Sequence, residues 1–144
     1  MQVASILAGK GNNVATILPD ASVAEAVEQL RSLGVGALVV STDGRTLTGI
    51  VSERDVVRRL AADAGGALAL PVSAVMTTAV HTCGPDDAVE RLMVMMTEHR
   101  IRHVPVVVDG ELAGIVSIGD VVKERLGQLE RENQALYEYF TGTR

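Results

Sequence analysis

The chain repeats itself, and this limits its fold more than any other feature. Residues 49–57 read GIVSERDVV and residues 114–122 read GIVSIGDVV, seven identities in nine positions at an offset of 65. Upstream, residues 14–44 set on 80–110 at an offset of 66 give eight identities in 31 positions. These include Pro19/Pro85, Asp20/Asp86 and the dipeptide Asp43-Gly44/Asp109-Gly110. Chance likeness of Val-rich strands could produce the longer match but hardly the shorter one. The period is too long for a solenoid. It is also too short for two independent domains, because a unit of about 50 residues buries too little of its surface to stand alone. Two copies packed about a pseudo-twofold axis would share one core. Clefts between them would then come in pairs.

Each copy reads as strand, helix, strand, hairpin, strand, helix, an α+β unit. In copy 1, residues 15–17 form a short strand stopped by Pro19, and Asp20 or Ser22 caps the helix that follows. Val23, Ala26, Val27, Leu30 and Leu33 mark one helical face, which Gly34 ends. Residues 37–41 and 47–51 form strands joined across the Asp43-Gly44 turn. Residues 53–61 form the closing helix, with Val56, Val57 and Leu60 inward. Copy 2 repeats this with Val89, Leu92, Met93 and Met96 on the helix, then strands at 104–108 and 112–116 around Asp109-Gly110. Met93, Met95 and Met96 read as core filling at helical spacing. Between the copies, residues 62–71 form an Ala/Gly-rich loop or frayed helix end, and 72–80 a short turn or helix. The organisation is therefore residues 1–65 as repeat 1 with an N-terminal segment, 66–126 as linker and repeat 2, and 127–144 as a helical extension. Along that extension Val122, Leu126, Leu129, Asn133, Leu136 and Phe140 are spaced 4, 3, 4, 3, 4. This is the pattern of a partner-helix seam with a polar register residue, or of an amphipathic helix lying across its own domain.

Composition removes several function classes. The three aromatics, Tyr137, Tyr139 and Phe140, all lie in the last eight residues, which argues against a stacking platform for single-stranded nucleic acid. A net charge of −5 argues against duplex binding, which needs a basic excess. Cys83 is the single cysteine, which leaves no disulfide framework and fits a reducing, cytoplasmic setting. No apolar run reaches the roughly 18 residues of a membrane span. The N-terminus lacks the charged region and long apolar run of a secretory signal.

The segments with chemical potential are Ser52-x-x-Asp55 and Ser117-x-x-Asp120, each at a strand-to-helix junction. Read structurally, each is a capping box that satisfies exposed backbone N–H groups. Read functionally, the helix N-terminus and Ser hydroxyl face a phosphate, and the carboxylate accepts both ribose hydroxyls. Spacing alone leaves both readings open.

The order and repetition of these segments resemble a tandem pair of cystathionine-beta-synthase (CBS) domains, also called a Bateman module. The segments that carry the resemblance are VATILPDASVAEAV, GVGALVV and GIVSERD, then VMTTAVHTCGPDDAV, HRIRHVPVVVDG and GIVSIGD, covering about residues 1–126. The resemblance implies two repeats head to tail about a pseudo-twofold axis, with clefts that take adenine nucleotides or related adenosyl ligands. It implies one cleft in which Asp120 holds the ribose and Ser117 the phosphate. Thr16, Ile17 and Ala21 would line it, with Val35, Gly36 and Ile115 at the adenine and Arg102 and His103 as a basic pair for phosphate. It implies a second cleft of Ile50, Ser52 and Asp55 with Thr82, Cys83 and Ile101. There Gly36-Ala37 stands where the basic pair would be. The Asp120 cleft is thus expected to be the tighter site.

The expected function is a stand-alone regulatory module, not an enzyme. It needs no cofactor, takes an adenine nucleotide as regulatory ligand, and signals by conformational change to an effector protein. The resemblance also implies a homodimer. A scaffold with unoccupied clefts is the alternative. Other signals carry less. His81, Cys83, His99 and His103 could supply metal ligands, but residues 100–103 leave the helix for a strand and break the i, i+4 face, so no metal site is expected. Cys83 beside His81 lacks an orienting acid for nucleophilic work. Arg54, Arg58 and Arg59 read as a solvated helix face that could also assist a polyphosphate at Asp55.

Overall fold

In the computed structural model, which describes residues 1–142, the chain opens with a helix, α1 (Val3–Lys10). The first unit follows as β1 (Thr16–Ile17), α2 (Val23–Leu33), β2 (Ala37–Val40), β3 (Gly49–Ser52) and α3 (Glu53–Ala62). Two single 3-10 turns, Ala67–Ala69 and Val72–Ala74, lead to the second unit. That unit is α4 (Val89–His99), β4 (His103–Val108), β5 (Glu111–Ser117) and α5 (Ile118–Thr141). The fold is the expected α+β pair of repeats with a long C-terminal helix. No helix among the described residues is long and apolar enough to cross a membrane.

The local chemistry explains the elements. Ser22 caps α2 in a reciprocal box with Glu25, and Gly34 closes the helix in the left-handed region at φ 65°. In the first sheet, ordered β1-β2-β3, β1 runs parallel and β3 antiparallel to β2. The second sheet has only β4 and β5, and its counterpart of β1 shrinks to one parallel bridge between Cys83 and Val106. Pro105 is the reason. In the first unit the Val39 N–H donates to the Ala15 carbonyl at 3.0 Å. Pro105 occupies the equivalent place and has no N–H to give.

The leading segments are exchanged between units. Val3 and Ala4 donate their N–H groups to the carbonyls of Asp87 and Pro85, and Val72 and Ser73 donate to those of Ala21 and Pro19. Val89 donates to Met1, and Val23 donates to Leu70. Each unit is therefore completed by the stretch of chain that precedes the other. The packing repeats as well. A side chain at Gly114 would meet Leu7 Cδ2 at 2.8 Å, and one at the equivalent Gly49 would meet Met76 Sδ at 2.8 Å. Both glycines clear a shelf for the incoming segment.

Two buried clusters result. Val23, Ala26, Leu30, Leu38, Val40, Val51 and Val72 lie in the first, and Val3, Ile6, Leu7, Val89, Leu92, Val104 and Val116 lie in the second. Four residues placed inward from sequence point out instead: Val27, Leu33, Val57 and Met93 are exposed. Val27, Val57 and Met93 each follow a buried residue on a helix whose core stripe is narrow, and Leu33 lies in the exposed last turn of α2. In α3 only Val56 is fully inside, with Leu60 packed against that cluster.

Candidate functional site

Both Ser-x-x-Asp segments fold as complete capping boxes, yet their carboxylates have different partners. At the head of α3, Asp55 Oδ2 accepts from the Ser52 N–H at 2.9 Å and the Ser52 hydroxyl at 3.0 Å. Its Oδ1 accepts from Thr77 Oγ1 at 3.2 Å. At the head of α5, Asp120 Oδ2 accepts from the Ser117 N–H at 2.8 Å. The same oxygen takes the Lys10 ammonium at 2.6 Å, and Lys10 Nζ also donates to the Ile115 carbonyl at 2.9 Å. Burial pushes the Asp120 pKa up, but Lys10 and the two Ser117 donors outweigh it and hold the carboxyl below its ordinary value. Lys10 and Thr77 come from the two exchanged leading segments, so each box receives its extra donor from the other half of the chain. Sequence reading missed both residues. The only signal was Val3/Val72 and the apolar pattern around them, at an offset of 69 that the main repeat does not use.

The open cleft between the repeats lies at Asp55. It has a volume of about 720 Å³ and draws Ile50, Ser52, Asp55, Arg54 and Arg58 from the first unit. Thr77 and Val80 come from the connection, with His81, His99, Arg100, Ile101, Arg102 and His103 from the second unit. Four guanidinium groups and all three histidines of the chain thus face one space, against the carboxylates of Glu53 and Asp55. His81 stacks on His99 with ring centroids 3.9 Å apart. Arg54 Nη1 donates to the Arg100 carbonyl at 2.6 Å, tying the two units across the cleft. Arg100 itself ends α4 at φ 53°, where the first unit has Gly34.

Gly36 sits where the repeats meet. A Cβ there would lie 3.0 Å from His103 Cε1 and 3.1 Å from Glu53 Oε1. Burial lowers the His103 pKa, with the Glu53 and Asp120 carboxylates opposing and Lys10 and Arg102 reinforcing the shift. His103 therefore feels Glu53 at the head of α3 and Asp120 at the head of α5.

The candidate residues divide as follows. Ile50, Ser52, Asp55 and Ile101 gather as expected, and Arg102, His103 and Gly36 join them in the Asp55 cleft. Ser117, Asp120 and Ile115 stand together around Lys10. Ile17 is buried in the first cluster with Ala21 packed against it, and the Thr16 carbonyl accepts from Gln29. Val35 lines a separate groove of about 340 Å³ between α2 and α3. Cys83 is buried in the second cluster, where desolvation and the nearby Asp87 charge push its thiol up to about 11. Thr82 is exposed beside it. Among the described residues, no three His, Cys, Asp or Glu side chains are grouped to hold a metal ion.

Comparison with known proteins agrees with this architecture. The chain is 38% identical over 127 residues to a mitochondrial CBS domain-containing protein of Arabidopsis thaliana, CBSX3, covering 85% of this chain and 62% of that relative. It matches the crystal structure of a CBS-domain containing protein from Agrobacterium tumefaciens with a TM-score of 0.84 at 44% identity, over 87% of this chain and 99% of that one. The CBS domain pair of protein MJ0100, solved in complex with 5′-methylthioadenosine and S-adenosyl-L-methionine, matches with a TM-score of 0.76 at 25% identity. That match covers 89% of this chain and 98% of that one. The family model of the CBS domain fits twice, over residues 10–62 and 72–127. With two exchanged repeats, paired capping boxes and a cleft between the repeats, the chain belongs to the CBS domain family as a tandem pair.

Proposed function

We propose that this pair is a regulatory module that binds an adenosine-containing ligand, of the AMP, ADP, ATP, NAD or S-adenosylmethionine class, in the cleft beside Asp55. One observation carries the reading: a carboxylate and a ring of cations share a space of about 720 Å³ between the repeats. Asp55 Oδ1 holds a single hydroxyl, that of Thr77, which ribose hydroxyls can replace or join. Arg54, Arg58, Arg100 and Arg102 supply planar donors for phosphate. No Phe, Tyr or Trp lines the cleft, so the purine is held by aliphatic walls such as Ile50, Val80 and Ile101, by the imidazole rings beside them and by backbone polar groups. The adenosyl ligands of the MJ0100 pair support this ligand class.

Arg102 and His103, matched by resemblance to the Asp120 cleft, also line the Asp55 cleft, and Lys10 already holds Asp120. The proposal therefore ranks the Asp55 cleft as the tighter site. A ligand that touches both repeats favours one relative arrangement by its differential affinity for it. The module passes that arrangement to an effector protein, works as a homodimer, needs no cofactor, and performs no catalysis itself. A reducing, cytoplasmic setting fits its one buried thiol.

Calorimetry with AMP, ADP, ATP, NAD and S-adenosylmethionine on the wild type, Asp55→Asn and Asp120→Asn tests the reading. The expected result is a loss of tenfold or more for Asp55→Asn and under threefold for Asp120→Asn. Equal losses, or the reverse order, would overturn the ranking. A second reading, a scaffold with unoccupied clefts, is favoured by the completeness of both capping boxes without any ligand. It prevails if none of the five compounds raises the melting temperature, because a ligand of the folded state must stabilise it.

A further inference from the structure

The geometry points to α5 as the strand of a parallel two-stranded coiled coil with a second copy of this chain. The helix runs 24 residues, and Val121 is its one fully buried side chain. From Leu129 onward nearly every residue is exposed, so the helix leaves the body of the protein rather than lying across it. Its apolar stripe is bare: Val122, Leu126, Leu129, Leu136 and Phe140 are each between 47 and 79% exposed. The spacing assigns Val122, Leu129 and Leu136 to d positions and Leu126, Asn133 and Phe140 to a positions. The seam is about 27 Å long at 1.5 Å per residue.

Charge selects the occupant and its direction. In a parallel pair each g residue faces the e residue of the next heptad on the other helix. Arg125 then meets Glu130 of the second copy, twice by symmetry, and Glu132 meets Tyr137, whose hydroxyl can donate to it. No like charges oppose one another. Within the chain Arg125 donates to Gln128 through Nη1 at 2.9 Å and lies 3.8 Å from Glu90 Oε1, and its guanidinium has further N–H donors for Glu130. An antiparallel pair with full overlap instead sets Glu130 against Glu130 and Glu132 against Glu132. Sliding by one heptad relieves this, but leaves either Leu136 and Phe140 or Val122 and Leu126 without partners, according to its direction. The parallel register also places Asn133 opposite Asn133, where the two amides satisfy each other and fix register and two-strandedness at some cost in affinity. The aromatic residues at the chain's end then close the seam, with Phe140 inside and Tyr137 and Tyr139 flanking it.

The test uses the full chain. Sedimentation of the wild type at 1–100 µM is expected to show a concentration-dependent dimer, and Leu129→Glu/Leu136→Glu to raise its dissociation constant at least tenfold with an unchanged unit fold by circular dichroism. Asn133→Cys under mild oxidation is expected to give a covalent dimer, while Arg131→Cys, on the outer face, does not. A monomer at 100 µM, an unchanged dissociation constant in the double variant, or equal crosslinking at both cysteine positions would each overturn the proposal.

Discussion

Arg100→Gly should make the protein more stable and a poorer nucleotide binder. Arg100 closes α4 at φ 53°, ψ 45°. A residue with a Cβ loses about 1–2 kcal/mol in that conformation because the side chain crowds the next carbonyl. Glycine removes this cost but gives the unfolded chain more freedom, worth about 0.5–1 kcal/mol. The contacts fixing the position are backbone ones: the Arg100 N–H caps the Met96 carbonyl, and its carbonyl receives Arg54. Both survive the substitution, and Gly34 already performs the same closure in the first unit. The net expectation is a gain of about 0.5–1 kcal/mol, or about 2–3 °C in Tm for a chain of this length. The guanidinium meanwhile leaves the cleft, and affinity for ATP should fall three- to tenfold, about 0.7–1.4 kcal/mol. Urea denaturation and calorimetry on the same preparations read both quantities. A loss of stability would refute the strain argument, and unchanged ATP affinity would refute the placement of Arg100 at phosphate.

Lys10→Met should cost about 1 kcal/mol at pH 7, discounted for the partial exposure of the pair. Asp120 titrates below its unfolded value, so its stabilisation is complete above about pH 4 and fades as pH falls through the folded pKa. The gap between variant and wild type in urea melts should therefore close towards pH 2; a constant gap would remove Lys10 as its source. Gly49→Ala should destabilise by about 1–3 kcal/mol, since its Cβ would meet the Thr77 carbonyl at 2.9 Å. Gly9→Ala, which meets nothing within 4 Å in a helix, should stabilise by about 0.5–1 kcal/mol. Equal thermal shifts would refute the shelf at Gly49. Cys83, buried with its thiol pushed up to about 11, should resist a thiol reagent at pH 8 until urea unfolds the chain. Rapid labelling of the native protein would contradict its burial.

Local chemistry was legible wherever one residue sets one conformation. Ser22, Ser52 and Ser117 cap the helices they precede, Gly34 closes α2, and Gly44 and Gly110 turn the chain at positive φ. The duplication was legible because GIVSERDVV and GIVSIGDVV repeat a whole strand-to-helix junction. What failed to show depended on distance through space. Lys10 lies 110 residues from Asp120, and nothing in its neighbours marks the contact. The side to which Arg102 and His103 turn depends on how the repeats meet at Gly36, which the pattern of either repeat alone does not encode. Val57 and Met93 were placed inward because periodicity marks apolar residues, whereas only packing decides how wide a stripe is covered.

The exchange of leading segments bears on how such a molecule can arise. A lone unit would leave its glycine shelf bare and its Ser-x-x-Asp box short of one donor. Two separate copies could cure both defects by lending each other their first ten residues or so, which is a domain-swapped dimer. Joining the copies head to tail keeps every one of those contacts but makes the exchange intramolecular. Assembly then depends on linker reach rather than on protein concentration. The linker of residues 63–69 is all the new structure such a fusion requires. Once joined, the two halves are free to diverge, one box keeping a hydroxyl from Thr77 and the other gaining an ammonium from Lys10.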